Sequence, residues 1–236
     1  DENTKVVGTS TNIGGIVGLN QGQVELVSLT EYATVSGFKY VGGFIGCNQG
    51  TISSDGSDNI VDGEKVIRNL TNYATVIGYD EVGGIVGSHD ATRIENCINF
   101  GTIRIVSGQK GNVGGITGSV ASGITIANCE NHGTVTGDMT GSNAGGITGK
   151  NEGTLQSCIH DGMASSNEAV AGGIVGRNYG MVENCENSGS VQGAVKVADQ
   201  IAIGGIAGYN EQKGTVKNCI SRKNSMVSNL IRGVGT

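Results

Sequence analysis

The sequence predicts an all-β chain, a right-handed parallel β-solenoid of about seven coils of roughly 30 residues. Three observations carry this expectation. A doubled glycine recurs at a near-constant step, apolar residues fall into columns when the copies are aligned, and short turn signals separate them. No stretch keeps the i, i+3, i+4, i+7 spacing of an amphipathic helix.

The first element is a Gly-Gly-apolar-x-Gly unit beginning at Gly14, Gly42, Gly83, Gly114, Gly145, Gly172 and Gly204. The steps are 28, 41, 31, 31, 27 and 32 residues. Ile13, Val41, Val82, Val113, Ala144, Ala171 and Ile203 stand just before the doublets. Ile16, Phe44, Ile85, Ile116, Ile147, Ile174 and Ile206 stand just after them, an apolar column that should face the interior.

The second element pairs an apolar residue with another three positions on: Leu26/Leu29, Ile67/Leu70, Ile94/Cys97, Ile126/Cys129, Leu155/Cys158, Val182/Cys185 and Val216/Cys219. Six residues later comes the third element: Val35, Val76, Ile103, Val135, Ala164 and Val191, with Met226 displaced by one in the last copy. Three apolar segments suggest a coil with three short sides. Asn20-Gln21-Gly22, Asn48-Gln49-Gly50, Asn151-Glu152-Gly153 and Asn178-Tyr179-Gly180 read as corners, since Asn and Gly enter left-handed conformations cheaply. A single coil cannot bury its apolar face, so coils must stack, about 4.8 Å apart. Seven would make a rod of about 33 Å. Right-handed winding is expected because parallel crossovers almost always take that hand.

Composition agrees with a packed repeat. Glycine is abundant at 43 residues and proline is absent, yet Ile and Val recur throughout, unlike a disordered glycine-rich chain. A net charge of −6 and a pI near 5.0 provide no basic stripe for nucleic acid. No apolar run reaches the ~18 residues of a membrane span. The opening residues carry no signal-peptide pattern, which suits either a mature chain or an excised segment.

The repeats resemble the GLUG motif family, whose signature is Gly, Leu or Ile, a hydrophobic residue, Gly. It reads here as Gly15-Ile16-Val17-Gly18, Gly43-Phe44-Ile45-Gly46, Gly84-Ile85-Val86-Gly87, and on to Gly205-Ile206-Ala207-Gly208. The element Asn96-Cys97-Ile98-Asn99-Phe100-Gly101 is also similar to the family's, while Thr117 and Thr148 depart from the hydrophobic position. The resemblance spans about Ile13 to Cys219. It implies a scaffold role in large bacterial surface or secreted proteins, adhesin-like or IgA-protease-like, and it supplies no catalytic residues.

The glycines are not a nucleotide loop. Gly149-Lys150-Asn151 lacks the Ser/Thr a Walker loop needs, and no helix follows any doublet. Repetition in every coil points to tight backbone packing. The cysteines stand singly about 30 residues apart, whereas zinc knuckles pair them closely, so no metal or other cofactor is expected. Cys97, Cys129, Cys158, Cys185 and Cys219 share a column with Leu29 and Leu70, and read as buried structural thiols. Side chains of a parallel ladder point the same way, leaving Cβ atoms near 4.8 Å where a disulfide wants about 3.8 Å. Cys47 shares its column with Leu19, Ser88, Ser119, Lys150, Arg177 and Tyr209, and reads as exposed.

None of His89, His132 and His160 has a recognisable Ser or Asp partner in sequence. Glu130 and Glu186 share a column two coils apart, about 10 Å with Ile159 between, which is poor geometry for a glycosidase pair. The inserted loop 53–64 places Asp55, Ser57, Asn59 and Asp62 like calcium ligands. Ile60 and Val66 stand where such a loop needs Gly and Glu, so a solvated loop is expected. One column runs Tyr32, Tyr73, Phe100, His132, Asp161, Ser188, Arg222, with Phe38 and Tyr79 nearby. Stacked rings stabilise such a wall, and the exposed ones, Tyr32, Tyr73 and Phe100, are the candidate ligand-binding residues.

The expectation is therefore one solenoid domain over 1–236, part of a larger protein whose flanking domains, or special caps at 1–11 and 221–236, cover its ends. Its expected role is a non-enzymatic, extracellular or cell-surface spacer or adhesive module for a glycan or host extracellular protein. The alternatives are a polysaccharide-degrading β-helix and a non-catalytic arm of a large secreted protease.

Overall fold

The computed structural model describes residues 4–25, 30–31, 33–49, 51–53, 60–61, 64–90, 93–106, 110–138, 141–167, 170–195, 202–222 and 227–231. These form an all-β solenoid of stacked parallel sheets, with no helix among the described residues.

Each coil has five short walls rather than three sides. In the coil that holds the third doublet, wall I is Thr75–Gly78, wall II Asp80–Gly83 and wall III Val86–His89. Wall IV is Arg93–Glu95 and wall V Ile98–Asn99. Stacking equivalent strands gives an eight-stranded sheet for wall I and seven-stranded sheets for walls II, III and V, while wall IV divides into a two-stranded sheet and a seven-stranded one whose first strand, Ile60–Val61, is antiparallel. Two of the three apolar segments each bend in the middle, which makes five walls. The first segment bends at the doublet, after Gly83 and before Val86. The second bends between Glu95 and Ile98, where Asn96 takes φ of 53°. Asn69, Asn128, Ser157, Asn184 and Asn218 occupy the same bend with φ of 51–59°. One left-handed corner therefore belongs to the residue at this bend, where asparagine is the tolerated L-residue, and another to Asn12, Tyr40 and Glu81 in wall II. Neither belongs to the Asn-x-Gly turns, none of whose asparagines has positive φ.

The register is the one the doublets imply. Ile13, Val41, Val82, Val113, Ala144, Ala171 and Ile203 pair in sequence down wall II. In wall I the partner of Val191 is Val227, one residue beyond Met226, which lies outside the described residues. Leu26 and Leu29 also lie outside them. The long second step is absorbed in wall IV. Thr51–Ser53 pairs with Gln23–Glu25, and then Ile60–Val61 turns back antiparallel on Glu64–Arg68, which resumes the parallel stack.

Two apolar cores fill the tube. One joins Phe44, Ile85, Ile116, Ile147 and Ile174 to Ile67, Ile94, Ile126, Leu155 and the cysteines. The other joins Val35, Val76, Ile103 and Val135 of wall I to Val41, Val82, Val113 and Ala144 of wall II. Polar ladders share the interior. At the end of wall III, Asn20 donates to Asn48 at 2.8 Å, and Asn151, Asn178 and Asn210 repeat the contact at 2.8 Å. In wall V, Asn72, Asn99 and Asn131 are linked Nδ2 to Oδ1 at 2.7 Å, and all three are fully buried. Each oxygen also takes a backbone N–H two residues on, as Asn99 does from Gly101 at 3.1 Å. A buried amide left unpaired costs about 1–3 kcal/mol, and this relay avoids most of that.

The second glycines Gly43, Gly84, Gly115 and Gly173 face that amide column across the tube, and Gly146 faces His160 in it. A Cβ on Gly84 would lie 2.7 Å from Asn99 Oδ1, and one on Gly115 2.3 Å from Asn131 Cγ. A Cβ on Gly173 would lie 2.3 Å from Asn187 Nδ2. The glycine doublet and the Asn-Cys-x-Asn-x-Gly element are thus two halves of one contact, the first vacating the space that the second fills.

Candidate functional site

Wall V carries the exposed aromatic stripe. The rings of Tyr73 and Phe100 stack with centroids 4.9 Å apart and 10° between planes. Phe100 and His132 stack at 4.8 Å and 21°. The coil spacing imposes this separation, which falls in the favourable range for offset rings. Tyr73 is 42% and Phe100 43% exposed, so the stripe presents ring edges to solvent while the faces lie on one another. Tyr32, the third candidate of the stripe, lies outside the described residues. Phe38 and Tyr79 make a second ring pair at 5.4 Å.

His132 ends the stripe between two carboxylates. Its Nδ1 lies 2.6 Å from Asp161 and its Nε2 3.0 Å from Glu130. Sequence spacing hid these partners, because one of them is 29 residues away and becomes a neighbour only by stacking. Both ring nitrogens face carboxylates, and Ser188 follows Asp161 in the column, so this serine does not stand beside the imidazole. Glu130, Ile159 and Glu186 pair in that order down wall V, as the columns imply. Arg222 grips Glu186 through its Nε and, at 2.8 Å, its Nη2, which holds that carboxyl below the usual range. The other two histidines are ladder members in amide columns: His89 sits 3.3 Å from Asn48, and His160 sits 3.0 Å from Asn131.

The five column cysteines are free, and Cys97, Cys129, Cys158 and Cys185 are buried. Their sulfurs donate to carbonyls two residues back, as Cys129 does to Ala127 at 3.3 Å. Burial pushes the Cys129 thiol well above its ordinary pKa, and hydrogen bonding with Cys158 followed by burial does the same for Cys185. Cys47 corrects the sequence reading: it is only 6% exposed, and burial raises its pKa to about 11. Its column partners Leu19 and Ser88 flank it along the rod, so a polar column does not guarantee an exposed position. Cys219 also departs from the buried reading of its column: it is half-buried, because it lies in the last coil with no further coil of the column stacked on it among the described residues. Native labelling with an alkylating reagent at pH 8 should therefore modify Cys219 first. Cys47 and the four buried column thiols should react only after denaturation. Equal native rates for Cys47 and Cys219 would overturn this order.

Asp55, Ser57, Asn59 and Asp62 of the inserted loop lie outside the described residues. Among the described residues, no three or more His, Cys, Asp or Glu side chains cluster to hold a metal ion. Among the described residues, no helix is long and apolar enough to cross a membrane.

The family model described as "The GLUG motif" matches residues 167–192, which span the sixth doublet and the Cys185 element. The chain carries a GLUG motif. Its coils are similar in fold to a 1.30 Å crystal structure from Bacteroides ovatus described as a "putative immunoglobulin A1 protease". That likeness has a TM-score of 0.59 and 18% identity, and covers 92% of this chain and 74% of the other. No curated protein matches the GLUG-bearing chain in sequence. Within the matched residues, Gly173 lies against Asn187 and Cys185 in the thiol column, both inside the tube.

Proposed function

We propose that this GLUG-bearing rod is a non-enzymatic module of a secreted or cell-surface protein. In this reading it is a stiff spacer whose wall V binds a glycan or a host extracellular protein. The observation that carries the reading is the exposed Tyr73–Phe100–His132 stack on the outside of the rod. The interior amides of Asn72, Asn99 and Asn131 are buried and bonded to one another, so recognition falls to the outer walls. The stripe offers apolar ring edges, and Glu130 and Asp161 beside it can accept hydroxyl hydrogens. The fold likeness to the protein from Bacteroides ovatus supports a second placement, as a non-catalytic arm of a secreted protease.

A glycan array and a panel of extracellular-matrix proteins, probed with the 236-residue chain, test this. Phe100→Ala should weaken any ligand held on the stripe about tenfold, equivalent to 1.4 kcal/mol. Full affinity in both Phe100→Ala and Tyr73→Ala would remove the stripe as the binding wall.

A further inference from the structure

The chain is acidic overall, yet three of its cations gather on one side of the rod. Lys110, Lys150 and Arg177 line a cleft at the mouth between walls II and III, with Asn112, Asn143 and Tyr179. Among the described residues, no carboxylate lines it directly, although Glu152 and Glu211 each pair with one of its cations. We propose that this cleft binds the carboxylate of an acidic sugar, a uronic-acid unit of a glycan, distinct from the stripe on wall V.

The repeat builds the cleft. Lys150 and Arg177 are register partners in wall III, and Tyr209 follows Arg177. Asn112 and Asn143 are partners in wall II, linked Nδ2 to Oδ1 at 2.8 Å. Gly141 adopts φ of 84°, and a Cβ there would meet Lys110 Cγ at 2.9 Å, so its absence lets the lysine stem lie across the rim. Stacked side chains place two cations one coil apart, a spacing a single carboxylate or adjacent acidic sugars can bridge.

The cations are held but not neutralised irreversibly. Lys150 pairs with Glu152, and Arg177 Nε lies 3.2 Å from Glu211 Oε1. Pairs this exposed are worth about 0–1 kcal/mol, so an incoming carboxylate can compete for them. Arg177 lies 5.0 Å over the Tyr209 ring and Lys150 5.5 Å from the Tyr179 centroid. These contacts orient the cations beside aromatic surface on which a sugar ring can rest. The guanidinium fork suits a planar carboxylate, and the carboxamides supply further polar contacts for hydroxyls. Tyr179, Tyr209, Asn210, Glu211, Gln212 and Lys213 line an adjoining depression.

The test is calorimetric titration of the 236-residue chain with trigalacturonate at low salt. Neutral galactotriose and poly-glutamate of matched charge serve as comparisons. Trigalacturonate should bind and weaken with added salt, galactotriose should not bind, and poly-glutamate should bind at least tenfold more weakly. The double variant Lys150→Gln/Arg177→Gln should lose at least tenfold in affinity for trigalacturonate, with an unchanged circular dichroism spectrum. Phe100→Ala should leave that affinity intact. No binding by the parent chain overturns the proposal, as does full affinity in the double variant or equal affinity for poly-glutamate. Loss in Phe100→Ala alone would move the acid site to the stripe and sink the cleft while sparing the stripe. Loss in the double variant alone supports the cleft whatever becomes of the stripe.

Discussion

Gly146→Val should cost about 4 kcal/mol or more and lower the melting temperature by at least about 10 °C. A Cβ on Gly146 would lie 2.0 Å from the carbonyl oxygen of Gly173 in the next coil. It would also lie 2.4 Å from His160 Cγ, a fully buried ring. The first contact is with backbone and the second with a packed side chain, so neither can yield cheaply. The penalty is steric, because Gly146 is not in the left-handed region. Gly22 is the internal control: a Cβ there meets nothing within 4 Å. Gly22→Ala should change the melting temperature by no more than about 2 °C. Thermal melts followed by circular dichroism decide the matter, and an unchanged midpoint for Gly146→Val would falsify the facing of doublet and ladder.

The second large effect is an acid-sensitive loss of stability centred on His160. This residue stands where Asn72, Asn99 and Asn131 form the wall V relay. Its Nδ1 lies 3.0 Å from both Nδ2 and the carbonyl oxygen of Asn131, while its buried Nε2 has no hydrogen-bond partner. Burial lowers its pKa from 6.5 to about 4. The unfolded chain therefore takes up a proton that the folded chain refuses between those values. Stability is full above about pH 6.5, falls as the pH drops toward 4, and levels off below. The difference of about 2.5 units corresponds to about 3 kcal/mol. His160→Asn restores the amide of the column, letting Asn131 donate to residue 160 and residue 160 to Asn187. That variant should lose less stability than the parent between pH 7 and pH 4.5, a difference visible in urea unfolding at the two pH values. Identical losses in the two proteins would remove His160 as the cause.

Read as columns, the sequence already held the stack. The doublets set the axial register, and wall II pairs as they require, from Ile13 to Ile203. The Tyr73–Phe100–His132 stripe and the buried thiol column were legible for the same reason. In a parallel stack the axial neighbour of a residue is its equivalent one period away, so periodicity alone names it. Neighbours across or around the tube carry no such signal. The bend at Asn96 that divides one apolar segment into two walls was decided by the folded coil. So were the contact of Gly84 with Asn99 and the seating of Asn20 and Asn48 as buried ladder members rather than left-handed corners. Cys47 likewise lies buried in a polar column, and His132 finds Asp161 and Glu130 only after stacking. The Lys110–Lys150–Arg177 cleft gathers a loop residue with two columns that the sequence keeps apart. Where the chain bends within a coil depends on how side chains fill the tube, a property of three-dimensional packing that no period in the sequence encodes.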